Sequence, residues 1–171
     1  MANTYTLIAS STASGSSGVI TFTSIPQTFT DLLIKVSARA STDTQSAPTL
    51  MSINSNSSNL TFKRIQGAGS GTPISQSGSG TGGAGGIFTS GNDFTANVFG
   101  SGEVYIPNYT SSNYKSYSID STTENNATGS YLSLVAGLWS DTAAITSLTF
   151  TQEVGNTANN STFYLYGIKN S

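Results

Sequence analysis

Short runs in which apolar and polar residues alternate with a period of two, each broken by Gly, Asn, Ser or Pro, dominate this sequence. Successive side chains of a strand point to opposite faces, so such runs predict half-buried strands joined by turns. Asp31 to Arg39 is the clearest case: Leu32, Ile34, Val36 and Ala38 fall on one face, Lys35, Ser37 and Arg39 on the other. Similar runs cover Tyr5 to Ala9, Gly18 to Ile25, Leu50 to Ile53, Leu60 to Ile65, Glu103 to Ile106, Tyr114 to Asp120, Ile145 to Gln152 and Thr162 to Lys169. Ile87 to Phe88 and Thr95 to Phe99 are weaker pieces. About ten strands at this spacing predict an all-β fold, an antiparallel jelly-roll-like β-sandwich, with residues 1–171 as one domain.

The segment Tyr131 to Trp139 fits two periods. Leu132, Val135, Ala136 and Trp139 match a helix, whereas strict alternation makes it a strand. The strand reading puts Leu132, Leu134, Ala136 and Leu138 in the core and leaves Tyr131, Val135 and Trp139 on the opposite face. A strand apolar on both faces needs cover on both. That cover is either a loop of the same chain or a second subunit packed on Tyr131, Val135 and Trp139.

Residues 66–86 form a Gly/Ser-rich stretch, the one low-complexity segment, and predict a long loop excursion from the sandwich. Such a loop either moves freely or lies ordered against a neighbouring molecule. Elsewhere the composition argues for a packed core: hydrophobic residues make up 36%, with 8 Tyr, 8 Phe and 1 Trp. Charged residues are only 8% of the chain. Ser, Thr and Asn supply roughly 40%, far above average usage, and take over the task of hydration.

Composition also limits chemistry. There is no His and no Cys, which removes serine–histidine triads, cysteine nucleophiles, disulfides and the usual zinc sites. Six basic residues and a net charge of −2 predict no nucleic-acid partner, since phosphate binding needs clustered Lys and Arg. No apolar run approaches a membrane span, and the first residues lack the basic and apolar regions of a secretory signal. A carboxylate pair could hydrolyse a glycoside; Asp120 with Glu124, or Asp31 with Asp141, are the candidates, against the simpler role of acids that cap turns. The G-x-G-x-x-G matches at Gly78-Gly80-Gly83 and Gly80-Gly82-Gly85 precede no helical pattern, so they predict no dinucleotide site. Asn92-Asp93 and Glu124-Asn125-Asn126 offer oxygen ligands for calcium without EF-hand spacing. Six Asn-x-Ser/Thr sequons, at Asn56, Asn59, Asn108, Asn126, Asn159 and Asn160, are expected by chance in so Ser/Thr/Asn-rich a chain. The expectation is a protein with no catalytic site, no cofactor and no metal.

Tyr105, Tyr109, Tyr114 and Tyr117 gather around Pro107. They read either as half-buried sandwich aromatics or as an exposed face that stacks on sugars or anchors a protein.

Four segments carry a resemblance: Ser24-Ile-Pro-Gln-Thr-Phe-Thr-Asp-Leu-Leu-Ile-Lys-Val-Ser-Ala-Arg39, Val104-Tyr-Ile-Pro-Asn-Tyr109, Ala136-Gly-Leu-Trp139 and Tyr164-Leu-Tyr-Gly-Ile-Lys169. Together they resemble small virion surface proteins of aquatic tailed bacteriophages, over most of the chain but weakly across the Gly-rich loop. The resemblance implies a β-sandwich on the outside of a capsid or tail, and it carries over no catalytic residue. The expectation drawn from it is a capsid decoration (cement) protein, made in the host cytoplasm and carried on the virion surface. Its partners would be the major capsid protein and its own copies in a homotrimer. Expected contacts are Tyr5 and Leu7, the 66–86 loop, and Tyr131, Val135 and Trp139. The alternative is a tail-fibre or receptor-binding module that contacts host-surface glycans through the Tyr105 to Tyr117 region.

Overall fold

A computed structural model describes residues 4–14, 18–80, 86–126 and 129–169. The alternation becomes twelve strands: β1 (Tyr5–Thr12), β2 (Val19–Phe22), β3 (Asp31–Ala38), β4 (Ser46–Ile53), β5 (Leu60–Ala68), β6 (Ile74–Ser79), β7 (Ile87–Ser90), β8 (Gly100–Ile106), β9 (Lys115–Glu124), β10 (Ser130–Trp139), β11 (Leu148–Gln152) and β12 (Thr162–Ile168). They form an eight-stranded sheet, β1-β12-β3-β8-β9-β10-β5-β6, and a four-stranded sheet, β2-β11-β4-β7, with every pairing antiparallel. The antiparallel β-sandwich is thus as expected, but its division of eight and four is larger and less even than the eight strands of a jelly roll.

The inner faces meet in one core. Leu32, Ile34 and Val36 of β3, Val104 and Ile106 of β8, Ile119 of β9 and Phe163 and Leu165 of β12 face Ile20, Phe22, Met51, Ile53, Leu148 and Phe150 of the smaller sheet. Phe150 and Phe163 join the layers with ring centroids 5.4 Å apart. The asparagines abundant in the sequence act as staples. Asn54, in the left-handed region (φ 50), accepts from the Thr146 and Ser147 amides at 2.8 and 3.1 Å and donates to the Ala144 carbonyl at 2.8 Å. It thereby ties the β4 turn to the approach to β11.

Three expectations are corrected. The 66–86 stretch is not one long loop: residues 66–68 complete β5, and 74–79 are β6, paired with β5 from Thr61↔Ser79 to Gln66↔Ile74. A Gly/Ser strand has little intrinsic β-propensity, and here the neighbouring strand supplies the ladder that holds it. Residues 81–85 of that stretch lie outside the described residues. Thr95 to Phe99 is turn and irregular backbone instead of a strand. Its carbonyls are taken by Arg39, which was expected on the solvated face. The buried Arg39 guanidinium donates to Phe94, Thr95 and Val98 carbonyls at 3.2, 3.1 and 2.9 Å.

The third correction concerns β10. It is a strand, but with the faces reversed: Val135 and Trp139 are 1% exposed, while Leu132 and Leu134 are 65% and 59% exposed. Tyr131 is on the same inner side, stacked on Phe88 with centroids 5.7 Å apart. The expected subunit face of Tyr131, Val135 and Trp139 therefore points into the sandwich. Space decides the orientation. A Cβ on Gly137 would sit 2.0 Å from Cζ of the buried Tyr117 ring, so the inner face alternates large and absent side chains across neighbouring strands.

Candidate functional site

The reversal of β10 gives the eight-stranded sheet a mixed outer face. Because directly paired antiparallel residues share a face, the registers define rows across it. One row runs Ser10, Tyr164, Lys35, Glu103, Asp120, Leu134, Ile65, Ser75; the next runs Leu7, Tyr166, Leu33, Tyr105, Ser118, Ala136, Lys63, Ser77. Toward β1 the face is aromatic, in the middle it is charged, and toward β6 it is aliphatic.

At the aliphatic end, Leu132, Leu134 and Leu138 follow one another along β10, with Ile65 (62% exposed) directly beside Leu134. A shallow groove of about 440 Å³ runs between Lys63, Ile65, Ser75, Leu134 and Ala136. Exposed apolar residues occur singly on any protein surface; here four lie close together on one face.

At the centre, Lys35 forms a salt bridge with Glu103, whose cross-strand neighbour is Asp120. The hydrogen bond to Glu103 raises the Lys35 pKa, against the opposing effect of burial. Burial, and then the Glu103 charge, raise that of Asp120. Beside this group Tyr5, Leu33, Lys35, Glu103 and Tyr166 line a groove of about 310 Å³. Carboxylates there can accept hydrogens from hydroxyl groups, and the Tyr5 and Tyr166 rings supply apolar faces for stacking.

The predicted residues fall as follows. Tyr5 and Leu7 are on the outer face and more than half exposed. The tyrosines around Pro107 do not make one face. Tyr109 and Tyr117 are buried, and burial raises both pKa values. The Tyr109 hydroxyl donates to the Pro26 carbonyl. Tyr105 is half-buried and donates to Asp31 Oδ2 at 2.8 Å; burial first, and this bond second, raise its pKa. Tyr114 alone of the four is well exposed.

Asp120 and Glu124 share the outer face of β9, but four residues of strand separate them by about 13 Å, beyond the spacing of a glycosidase pair. Asp31 also accepts from the Asn108 amide of the turn after β8 at 2.9 Å, while Asp141 caps the Ala143 amide at 2.9 Å, so the two hold different turns. Glu124 and Asn92 likewise bond within loops, to the Asn126 amide and to Asp43. Among the described residues no three acidic side chains converge as a metal site. Sequence reasoning missed Leu33, Lys35, Glu103, Tyr164 and Tyr166 as one surface, because cross-strand register is what assembles them.

The fold and this face define an antiparallel β-sandwich whose larger sheet offers an open, partly apolar surface. No protein-family model, curated protein or solved structure matches the chain.

Proposed function

We propose that this chain is a structural protein that binds other proteins through the outer face of its eight-stranded sheet, and that it acts as a capsid decoration (cement) protein on a bacteriophage head. The observation that carries the binding reading is the contiguous stripe of Leu132, Leu134, Leu138 and Ile65 on that face. The particle setting rests on the sequence resemblance. In this reading the stripe lies on the major capsid protein, and Tyr5 and Leu7 extend the contact along the same face. Covering the stripe contributes about 3–6 kcal/mol before the costs of association. That is weak for one copy and strong for many copies that bridge shell subunits, where avidity multiplies it.

The test is addition of purified protein to particles stripped of it. Wild type is expected to rebind at hundreds of copies per particle and to raise the temperature of genome release. Leu134→Lys with Leu132→Lys is expected to bind poorly while keeping its melting temperature. Rebinding of that variant at the wild-type level would remove the reading.

A second reading, a tail-fibre or receptor-binding module for host-surface glycans, is favoured by the groove between Tyr5 and Tyr166 with the Lys35–Glu103 pair in its wall. It requires glycan binding that Tyr5→Ala and Tyr166→Ala abolish and the leucine variants leave unchanged.

A further inference from the structure

The edge strands of an open sheet leave alternate N–H and C=O groups without a ladder partner, and proteins blunt such edges with bulges, charges, Pro, brevity or cover. Three of the four edge strands are treated in this way. β1 carries a bulge at Ile8, where the register shifts between Leu7 and Ala9. β2 is only four residues long. β7 is equally short and wholly buried, and its Ser90 bridges to Arg39.

Among the described residues β6 has none of these devices. Its six residues, Ile-Ser-Gln-Ser-Gly-Ser, include no charge and no Pro, pair with β5 in unbroken register, and are exposed except at the partly buried Gly78. The strand is nonetheless held in place. Gln76 is hydrogen-bonded by Arg64, and Gly78 lies against the Phe62 ring, where a Cβ would come within 2.6 Å of Cε1. Pro73 ends the window on one side, and Gly80, left-handed at φ 77, ends it on the other.

The side chains specify what fits beside it. Ser75, Ser77 and Ser79 are on the outer face, with Ile74, Gln76 and Gly78 on the inner. A foreign peptide added to a sheet edge is normally chosen by pockets for its alternate side chains, and small serines and a glycine form none. An antiparallel copy of the same strand needs none. Serine then lies opposite serine on the outer face, and no like charges oppose each other. The nearest fixed charge on the outer face, Lys63, is one strand further in, and the Arg64 guanidinium is held by Gln76 on the inner face. Across such a junction the two Lys63 backbones would stand about 14 Å apart, beyond the Debye length of about 8 Å at physiological salt.

We propose that β6 is a self-association edge: two copies pair their β6 strands antiparallel about a two-fold axis and join their larger sheets into one. The pairing satisfies the outward backbone groups of both strands and covers Ile74, which is otherwise 44% exposed. It uses the edge and not the outer face, so it stands apart from the capsid reading.

Sedimentation velocity and native mass spectrometry across a concentration series test it. The expected species is a dimer of the 17.6 kDa chain. Ser75→Lys with Ser77→Lys, at exposed positions, is expected to weaken dimerisation about tenfold or more with circular dichroism and melting unchanged. Mixing that variant with Ser75→Glu/Ser77→Glu is expected to restore a heterodimer, a rescue that only strand-to-strand apposition of these positions produces. A wild type that stays monomeric throughout, or a dimer indifferent to the lysines, would overturn the proposal. A chain that stays monomeric alone but gains hydrogen-exchange protection at 74–79 on adding another protein would likewise overturn it, in favour of a foreign strand.

Discussion

The orientation of β10 decides which residues can meet a partner, and a pair of adjacent substitutions tests it directly. Val135 is 1% exposed and Leu134 is 59% exposed. Val135→Ala removes the equivalent of two methylenes from a closed site, about 1.6 kcal/mol of transfer free energy, and the cavity left behind adds to it. The expected loss is roughly 2–3 kcal/mol. Leu134→Ala removes side-chain atoms that mostly face water already, so its expected loss is within about 0.5 kcal/mol. For a chain of this length the first change lowers the melting temperature by roughly 4–10 °C and the second hardly moves it.

Urea unfolding followed by tryptophan fluorescence measures both, since Trp139 lies in the core on the same face as Val135. The m-value must stay constant across the pair for the comparison to report on the native state. If the leucines lined the core instead, the two losses would exchange places. A Leu134→Ala that costs more than Val135→Ala would therefore refute the orientation, and with it the apolar stripe on the outer face.

Arg39→Met strips the donor from three carbonyls of the 94–98 turn and is expected to cost roughly 3–5 kcal/mol, with hydrogen exchange accelerating in that turn; Arg39→Lys recovers only part, because an ammonium lacks the fork. Gly137→Ala drives a Cβ into the Tyr117 ring and is expected to cost roughly 1–3 kcal/mol, less when combined with Tyr117→Leu, a coupling that a double-mutant cycle reads. Burial raises the pKa of Tyr105, Tyr109 and Tyr117 above 10.0. The stability they support is complete below that value and lost as pH rises through the folded-state values. Urea midpoints are expected to fall above pH 10, more gently in Tyr109→Phe/Tyr117→Phe. Burial lowers the Lys115 pKa, which acts with the opposite sign, so Lys115→Met steepens the same decline.

Alternation sufficed for most strands because most have one wet face. On β3 the inward residues Leu32, Ile34, Val36 and Ala38 are the ones the period selects. It failed on β10 because both faces contain apolar residues, and counting them favoured the leucine face. What decided the matter was complementarity between strands. Gly137 is bare on the inner face because the Tyr117 ring of the neighbouring strand fills that layer, and no single strand records this. β6 was illegible for a related reason: Ile-Ser-Gln-Ser-Gly-Ser reads as part of a loop until β5 is placed beside it. The outer-face groove was hidden more deeply. Tyr5, Leu33, Glu103 and Tyr166 come from four strands, and only the register makes them neighbours. Tyr5 and Leu7, expected as contacts, are exposed on the outer face of β1.

The few charges of this chain are mostly spent inside the fold or on one another. Of six basic residues, Arg39 is buried on loop carbonyls, Lys115 is buried beside Trp139 and donates to the Asp141 and Ala143 carbonyls, and Arg64 stacks over the Phe88 and Phe62 rings. Lys35 is neutralised by Glu103. A cation held this way joins segments that apolar contact alone does not hold together. Water is then kept at that surface by hydroxyls and amides, which hydrate well yet exert no long-range repulsion between like copies. Such a surface lets identical molecules crowd together at little electrostatic cost. The same substitution of hydroxyls for charges leaves β6 without the lysines that usually guard an edge, and Lys63 of β5 is the one charge between β6 and the leucine stripe on the outer face. Adding charge at Ser75, Ser77 or Leu134 should therefore impair association before it impairs folding, whereas removing charge at Arg39 or Lys115 should do the reverse.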